Sequence, residues 1–236
     1  MRSNRAAKAP DIADPERGDI ARKKLVEAGL KIFSEVGYES ASTRNLATAA
    51  GVNIAAIPYY FRSKEGLYLA VIDYIIGYYL ENLGEGLAQI KQALKNKKTT
   101  HAECRALLDE YMRMLISFVL RESAEHSQIS HICIREQLDP TSAFTRLYEG
   151  FMRDMQETLD ALVAAILDMD ARSSEVKLIA KTLLGQVAIF KSSRTIVLHS
   201  MGWKNYGEKR MAEIERIVTF NVNAIMQAYQ KKGPTA

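Results

Sequence analysis

The residue types best suited to meeting another molecule crowd into residues 42–64, which read S-T-R-N-L-A-T-A-A-G-V-N-I-A-A-I-P-Y-Y-F-R-S-K. Two short helical patterns flank Gly51, and glycine tolerates the sharp turn between them at low steric cost. Leu46, Ala47 and Ala50 give the first helix an apolar inner face, while Val52 and Ile57 tether the second. That leaves Asn53, Ile54, Ala55 and Ala56 at the start of the second helix. Alanines there permit close approach to base edges and thymine methyls, and an asparagine pairs with adenine or with a phosphate. Tyr59, Tyr60 and Lys64 offer hydroxyls and a cation to a phosphate backbone, contacts that position without reading sequence. Ser42 and Thr43, at a helix N-terminus, make an anion site, and Arg44 in the same turn reaches a guanine or a phosphate. Together these residues have the chemistry of a helix-turn-helix that reads duplex DNA. The plainer reading of Tyr59, Tyr60 and Phe61 is core packing, and we accept it for Phe61. Pro58 lacks an N–H and its ring opposes the carbonyl of Ile54, which predicts a loosened or kinked last turn.

Catalytic patterns do not compete. The chain has no nucleophile elbow, no phosphate loop and no paired carboxylates with a positioned base, so an enzyme is not expected. His126, His131, Cys133 and Glu136 do not share one helical face as metal ligands would, and no cofactor or metal is expected. Two cysteines, Cys104 and Cys133, are too few for a disulfide framework and fit a reducing compartment. Neither sits in a cluster that would lower its pKa. Apolar stretches such as residues 161–167 stop at seven, far short of the roughly 20 that cross a bilayer. Arg2, Arg5 and Lys8 have no apolar segment behind them, so no secretory signal is read. A cytoplasmic protein without a membrane partner is expected. Residues 1–64 hold 11 Lys+Arg against 7 Asp+Glu, whereas 65–236 hold 21 of each. The whole positive excess thus sits with the motif, where a polyanion would use it.

Stepping along the chain, apolar residues recur at helical spacing and no strand is evident. The pattern predicts a basic arm over 1–13 and a first helix from about Asp14 or Arg17 to Val36, capped by Gly37. The two short helices follow. A long helix then starts at Ser63 and runs to Leu94, bent near Gly84 and Gly86. Thr100 and Glu103 have capping-box spacing and open a helix to about Arg121. Further helices are predicted over about 125–138, from Asp139-Pro140 to Leu167, from Ser173 or Ser174 to Met201, and from Glu208 to Lys231. The expectation is an all-α chain of about nine helices. A three-helix DNA-binding domain (14–62) precedes a larger six-helix ligand-sensing and dimerisation domain (63–236).

Residues about 17–66 resemble the N-terminal domain of the TetR/AcrR family. The matching elements are the A-x-x-x-x-F-x-x-x-G-Y run from Ala28 to Tyr38, T-R-x-L-A at 43–47, A-G-V at 50–52 and Y-Y-F-x-S-K-E-G-L at 59–67. R-E-Q-x-x-P-x-x-A-F at 135–144 and Gly202-Trp203 are similar to the C-terminal domain of some TetR regulators, under the name CerR-type. The resemblance implies an all-helical homodimer whose recognition helix enters the major groove. By position it assigns DNA contact to Ser42, Thr43, Arg44, Asn53, Ile54, Ala55, Ala56, Tyr59, Tyr60 and Lys64. It also implies a repressor that a small-molecule effector releases from a palindromic operator. The alternatives are an activator of the same fold, a sequence-independent DNA binder without ligand release, and a protein-interaction module.

In the C-terminal part, Val176, Ala180, Leu183, Val187, Phe190, Val197 and Met201 make one apolar stripe, and Ile179, Ile189 and Ile196 a second. Ile214, Ile217, Val218, Phe220, Val222, Ile225, Met226 and Tyr229 cover over half of the last helix. Helices apolar nearly all round must be buried on two faces, which points to a dimer through the last two long helices. Tyr111, Phe118, Tyr148, Phe151 and Phe190 are candidates to line an apolar ligand pocket. His131, Arg135 and Arg194 are polar candidates, with an internal ion pair to Glu136 or Glu149 as the plainer reading.

Overall fold

The structure, a computed structural model, describes residues 15–96 and 98–232; the basic arm expected over 1–13 lies outside them. Among the described residues the chain is helical without strands, in eleven α segments and one π turn. They divide into two compact units that part between Tyr74 and Ile75.

The first unit contains α1 (Pro15–Ser40), α2 (Thr43–Ala50), α3 (Ala56–Phe61) and the first turns of α4 (Lys64–Lys95). Regular α1 geometry breaks at Gly37, whose φ is 80°, where the sequence places the cap. Leu25, Phe33, Leu46, Ile57, Leu67, Val71 and Ile72 are all buried. Phe33 meets Tyr68 edge-on, with centroids 4.8 Å apart. Because Leu67, Val71 and Ile72 belong to this core, the packing divides inside α4 rather than at its start.

The second unit holds the rest of α4, α5 (His101–Val119), α6 (Ala124–Leu138), α7 (Phe144–Leu147), α8 (Arg153–Leu167), α9 (Ser174–Ser192), α10 (Arg194–Ser200) and α11 (Glu208–Lys232). Thr100 and Glu103 do form a capping box at α5. Two predicted helices are subdivided. The one predicted from Asp139-Pro140 carries the π turn Tyr148–Met152 between α7 and α8, and the one predicted to end near Met201 breaks at Ser193, whose φ and ψ of −111° and 27° are not helical. α4 is helical through Gly84 and Gly86. The core joins Leu87 and Ile90 of α4 to Leu108 and Met112 of α5, Leu162 and Ile166 of α8, Leu183 of α9, and Val218 and Val222 of α11.

Candidate DNA interface and ligand cleft

Ser42 stands in extended conformation before α2, and its Oγ accepts the N–H of Asn45 at 3.1 Å. This side chain replaces a partner that the first helical turn lacks. Ser42→Ala should cost the first unit about 1 kcal/mol, read as a lower midpoint in chemical denaturation. An unchanged midpoint would remove the capping role. At the other end of α2, Gly51 adopts φ 65° and ψ 33°, and the next N–H, from Val52, reaches the carbonyl of Ala47 at 3.0 Å. A left-handed residue closing such a bond is a glycine's position.

The second helix starts later than its pattern predicts. Residues 53–55 form a turn in which Asn53 Oδ1 accepts the Ala55 N–H at 2.9 Å, and α3 proper begins at Ala56. Pro58 therefore falls in the first turn, where a missing N–H costs nothing. The expected kink at the carbonyl of Ile54 does not arise; that carbonyl accepts from Ile57 at 3.3 Å. Helical competition by Asn53, whose oxygen favours a local turn over the ladder, is the physical reason for the shift.

The turn presents a continuous polar and small-residue surface. Ser42, Arg44, Asn53, Ile54 and Ala55 are exposed, Thr43, Ala56 and Tyr60 half-buried. Tyr59 is 54% exposed and packs edge-on against Tyr60, whereas Phe61 is buried beneath Arg22. Lys64 is half-buried: its Nζ donates to the carbonyls of Tyr38 and Glu39 at 3.0 and 3.3 Å and lies over the Tyr38 ring.

In the second unit, a cleft of about 740 Å³ opens between α6 and the α9–α10 junction, lined by Arg121, Glu122, His131, Lys191, Arg194 and Asn205 among others. A smaller chamber of about 170 Å³ shares Ile134, Lys191 and Ser192 with it and is walled by Tyr79, Phe118, His126, Cys133 and Ala188. Of the ligand candidates read from sequence, Phe118, His131 and Arg194 line these spaces. Phe151 stacks on the chamber's Tyr79 at 3.7 Å. Phe190 sits beside Tyr206, whose hydroxyl donates to the Phe190 carbonyl at 2.6 Å. Tyr111 is in the core, donating to the Met155 carbonyl at 3.0 Å, and burial raises its pKa. Tyr148 stacks on Phe144, and Arg135 is exposed on α6. Arg194 pairs with Glu122 at 2.5 Å, not with the acids anticipated: Glu149 pairs with Arg153, and Glu136 accepts from Thr141.

Arg121 and Lys191, and His126 as a lining residue rather than a metal ligand, were not among the ligand candidates. A signal existed for Lys191, a cation three residues from Arg194 on a helix with apolar stripes. Its importance depends on burial, which with Arg194 lowers its pKa to about 8, Glu122 opposing. His126 is 1% exposed, and its Nδ1 is 3.4 Å from the Tyr78 hydroxyl, while Nε2 makes no hydrogen bond of normal geometry among the described residues. Burial, Lys191 and Arg121 push its pKa down to about 4 against a pull from the Val119 carbonyl, so the ring is neutral at pH 7.

Two family matches tile this architecture. Residues 25–71 match the bacterial regulatory proteins of the tetR family, and residues 104–229 match the C-terminal domain of the HTH-type transcriptional dual regulator CecR. The CecR protein of Shigella flexneri is 30% identical over 217 residues, spanning 92% of this chain and 96% of that relative. The chain belongs to the TetR family. Its C-terminal domain, resembled above under the name CerR-type, is of the CecR type. The chain is thus a DNA-binding transcription regulator with a helix-turn-helix. Solved structures share the fold at lower identity. HlyIIR, a hemolysin II transcriptional regulator, has a TM-score of 0.56 and 20% identity, with 86% of this chain and 98% of that one covered. AibR, solved with isovaleryl coenzyme A and operator DNA, has 0.56 and 16%, with 84% and 96% covered. Among the described residues, no helix is long and apolar enough to cross a membrane.

Proposed function

We propose that this TetR-family regulator binds a palindromic operator as a homodimer in the cytoplasm and represses until a small molecule occupying the second unit releases it. The observation that carries DNA reading is the exposed surface of residues 42–59, small at its centre and flanked by hydroxyls and Arg44. Asn53 spends its Oδ1 on the turn, so it offers DNA its amide NH₂ while Ile54, Ala55 and Ala56 present apolar contacts to thymine methyls. Ser42, Thr43, Tyr59 and Tyr60 take phosphates. Lys64 adds positive potential while holding the end of α1.

Dimerisation rests on stripes left uncovered in the second unit. Leu178 and Ile189 on α9, Ile196 on α10, and Ile217 and Phe220 on α11 are exposed although each helix also has a buried apolar face. Ile179, read in one stripe with Ile189 and Ile196, is buried, and Met201, read in the other with Val176 and Leu183, is exposed. A partner covering these stripes would set two recognition helices at half-sites about 34–36 Å apart or a multiple. Because α4 belongs to both units, a ligand that repacks the second acts on the helix that enters the first. A coupling of about 1–3 kcal/mol would weaken DNA binding some 5–150-fold. That AibR was solved with both a ligand and operator DNA supports a ligand-responsive reading of this fold.

The test is selection of preferred duplexes from a random pool, followed by titration of small molecules on the selected site. A palindrome favoured about 10³-fold or more over random DNA is expected; equal affinity for all duplexes would overturn the reading. Arg44→Ala should lower the salt dependence by about one phosphate contact across all sequences. The description of CecR as a dual regulator favours a second reading, activation at some promoters by the same dimer. A reporter joined to each selected site separates the two by the sign of its response.

A further inference from the structure

The cleft between α6 and the α9–α10 junction is charged in one direction. Arg121, Lys191 and Arg194 face it together with His131, and among the described residues Glu122 is the only carboxylate in its lining. That carboxylate is spoken for: it accepts from Arg194 and from the backbone N–H of Tyr206 at 3.3 Å. Arg121 donates to neutral groups, the Tyr78 hydroxyl at 3.2 Å and Asn82 Oδ1 at 2.5 Å. Lys191 has no ion pair among the described residues, and it titrates low because burial and Arg194 disfavour its charge. A half-buried ammonium with this company is a cost to the empty protein unless an anion arrives.

Behind the cations, the smaller chamber is aromatic. Phe118 and Tyr79 are 4.8 Å apart, Phe118 and His126 also 4.8 Å, and His126 belongs to this lining. Its volume, about 170 Å³, is the scale on which an apolar cavity holds one ring. Charge outside and a ring-sized apolar end inside are two halves of one recognition problem.

We propose that the effector is an organic anion whose carboxylate or phosphate head lies among Arg121, Lys191 and Arg194 while a single ring or a short branched group enters the chamber of Tyr79, Phe118 and His126. This deepens the ligand-release reading and rests on it. Anion binding favours the protonated form of Lys191. Affinity therefore falls above the free pKa of about 8, by at most tenfold per pH unit. The other groups facing Lys191 are Arg194, Glu122, Arg121, His126 and His131. His126 is neutral throughout that range.

The experiment titrates the full-length protein with 4-fluorobenzoate, 4-fluorophenyl phosphate, 4-fluorobenzyl alcohol, 4-fluorobenzylamine and inorganic phosphate, followed by fluorine NMR for the first four and by competition for the last. The two aryl anions should saturate at least tenfold more tightly than the alcohol, and inorganic phosphate should compete less well than phenyl phosphate. Lys191→Met should weaken both aryl anions at least tenfold, flatten the pH profile above 8 and raise the ligand-free melting temperature. A lysine with a structural role alone would lower that temperature. The alcohol or the amine binding as tightly as the anions overturns the proposal, as does inorganic phosphate matching the aryl phosphate. Operator affinity is measured in parallel: aryl anions that bind without changing it would leave the ligand class standing and sink the release reading. Release by the amine alone would do the reverse.

Discussion

Phe220→Arg should yield a folded monomer that no longer holds the operator. Phe220 is 71% exposed on α11, and Ile196 on α10 is equally so. A substitution at such a position in an isolated chain changes stability by about 0.5 kcal/mol or less, so helical content and the sensor core should survive. In a dimer the same position becomes an unpaired charge among apolar side chains, because α11 also presents Ile217 and α9 presents Leu178 and Ile189. An isologous interface meets the change twice, once from each copy. Two linked reading heads gain about 10²–10⁴ in avidity over one, so operator affinity should fall by about 100-fold or more. Light scattering on the purified variant gives the mass, and a gel-shift titration gives the affinity. A dimeric mass with intact operator binding would show that another face joins the copies, and Thr182→Arg, on the same stripe of α9, would then be expected to be neutral as well.

How far the residues announced all this depends on how local each cause is. Ser42, Gly51, Thr100 and Glu103 act within a few residues of themselves, and each performs the capping or turning role its type predicts. The start of α3 was misread although it is also local. Asn53 competes for its own backbone, and that competition moves Pro58 from a damaging position into a harmless one. The break at Ser193 and the π turn at Tyr148–Met152 leave no mark in apolar periodicity. The cleft is harder still. Lys191 lies 70 positions from Arg121 in the chain, and nothing in either one's neighbourhood says that the α5–α6 link and α9 will bring them to one opening. Phe151 and Tyr111 are aromatic for packing reasons, and composition cannot separate such residues from Phe118, which lines the chamber.

Gly66→Ala should damage the reading head more than any substitution on its DNA-facing surface. Gly66 is in the first turn of α4, with its N–H held by Ser63 Oγ at 3.0 Å. A Cβ placed on it would come within 1.9 Å of the Phe61 carbonyl oxygen. That oxygen is backbone at the end of α3, so no side-chain rotation relieves the clash. Either the Ser63 cap opens or the last turn of α3 moves, and each choice carries a further loss. Phe61 is buried in the core of the first unit, and Arg62 beyond it already sits at φ 68°, a costly value for a side-chain-bearing residue. Overpacking costs about 1–3 kcal/mol, more where backbone must shift, and we expect the upper end of that range. Hydrogen exchange should show amides of α2 and α3 losing protection while those of α8 and α11 keep theirs, and operator affinity should fall in proportion to the fraction of heads unfolded. Gly77→Ala is the internal comparison, since it lies in the same helix with nothing within 4 Å of the added carbon. There the helix-propensity difference of about 1 kcal/mol acts alone and favours alanine. Equal stability of the two variants would mean that the junction of α3 and α4 yields freely, and a junction that yields could not fix Tyr59 and Ala56 as the proposed DNA contact requires.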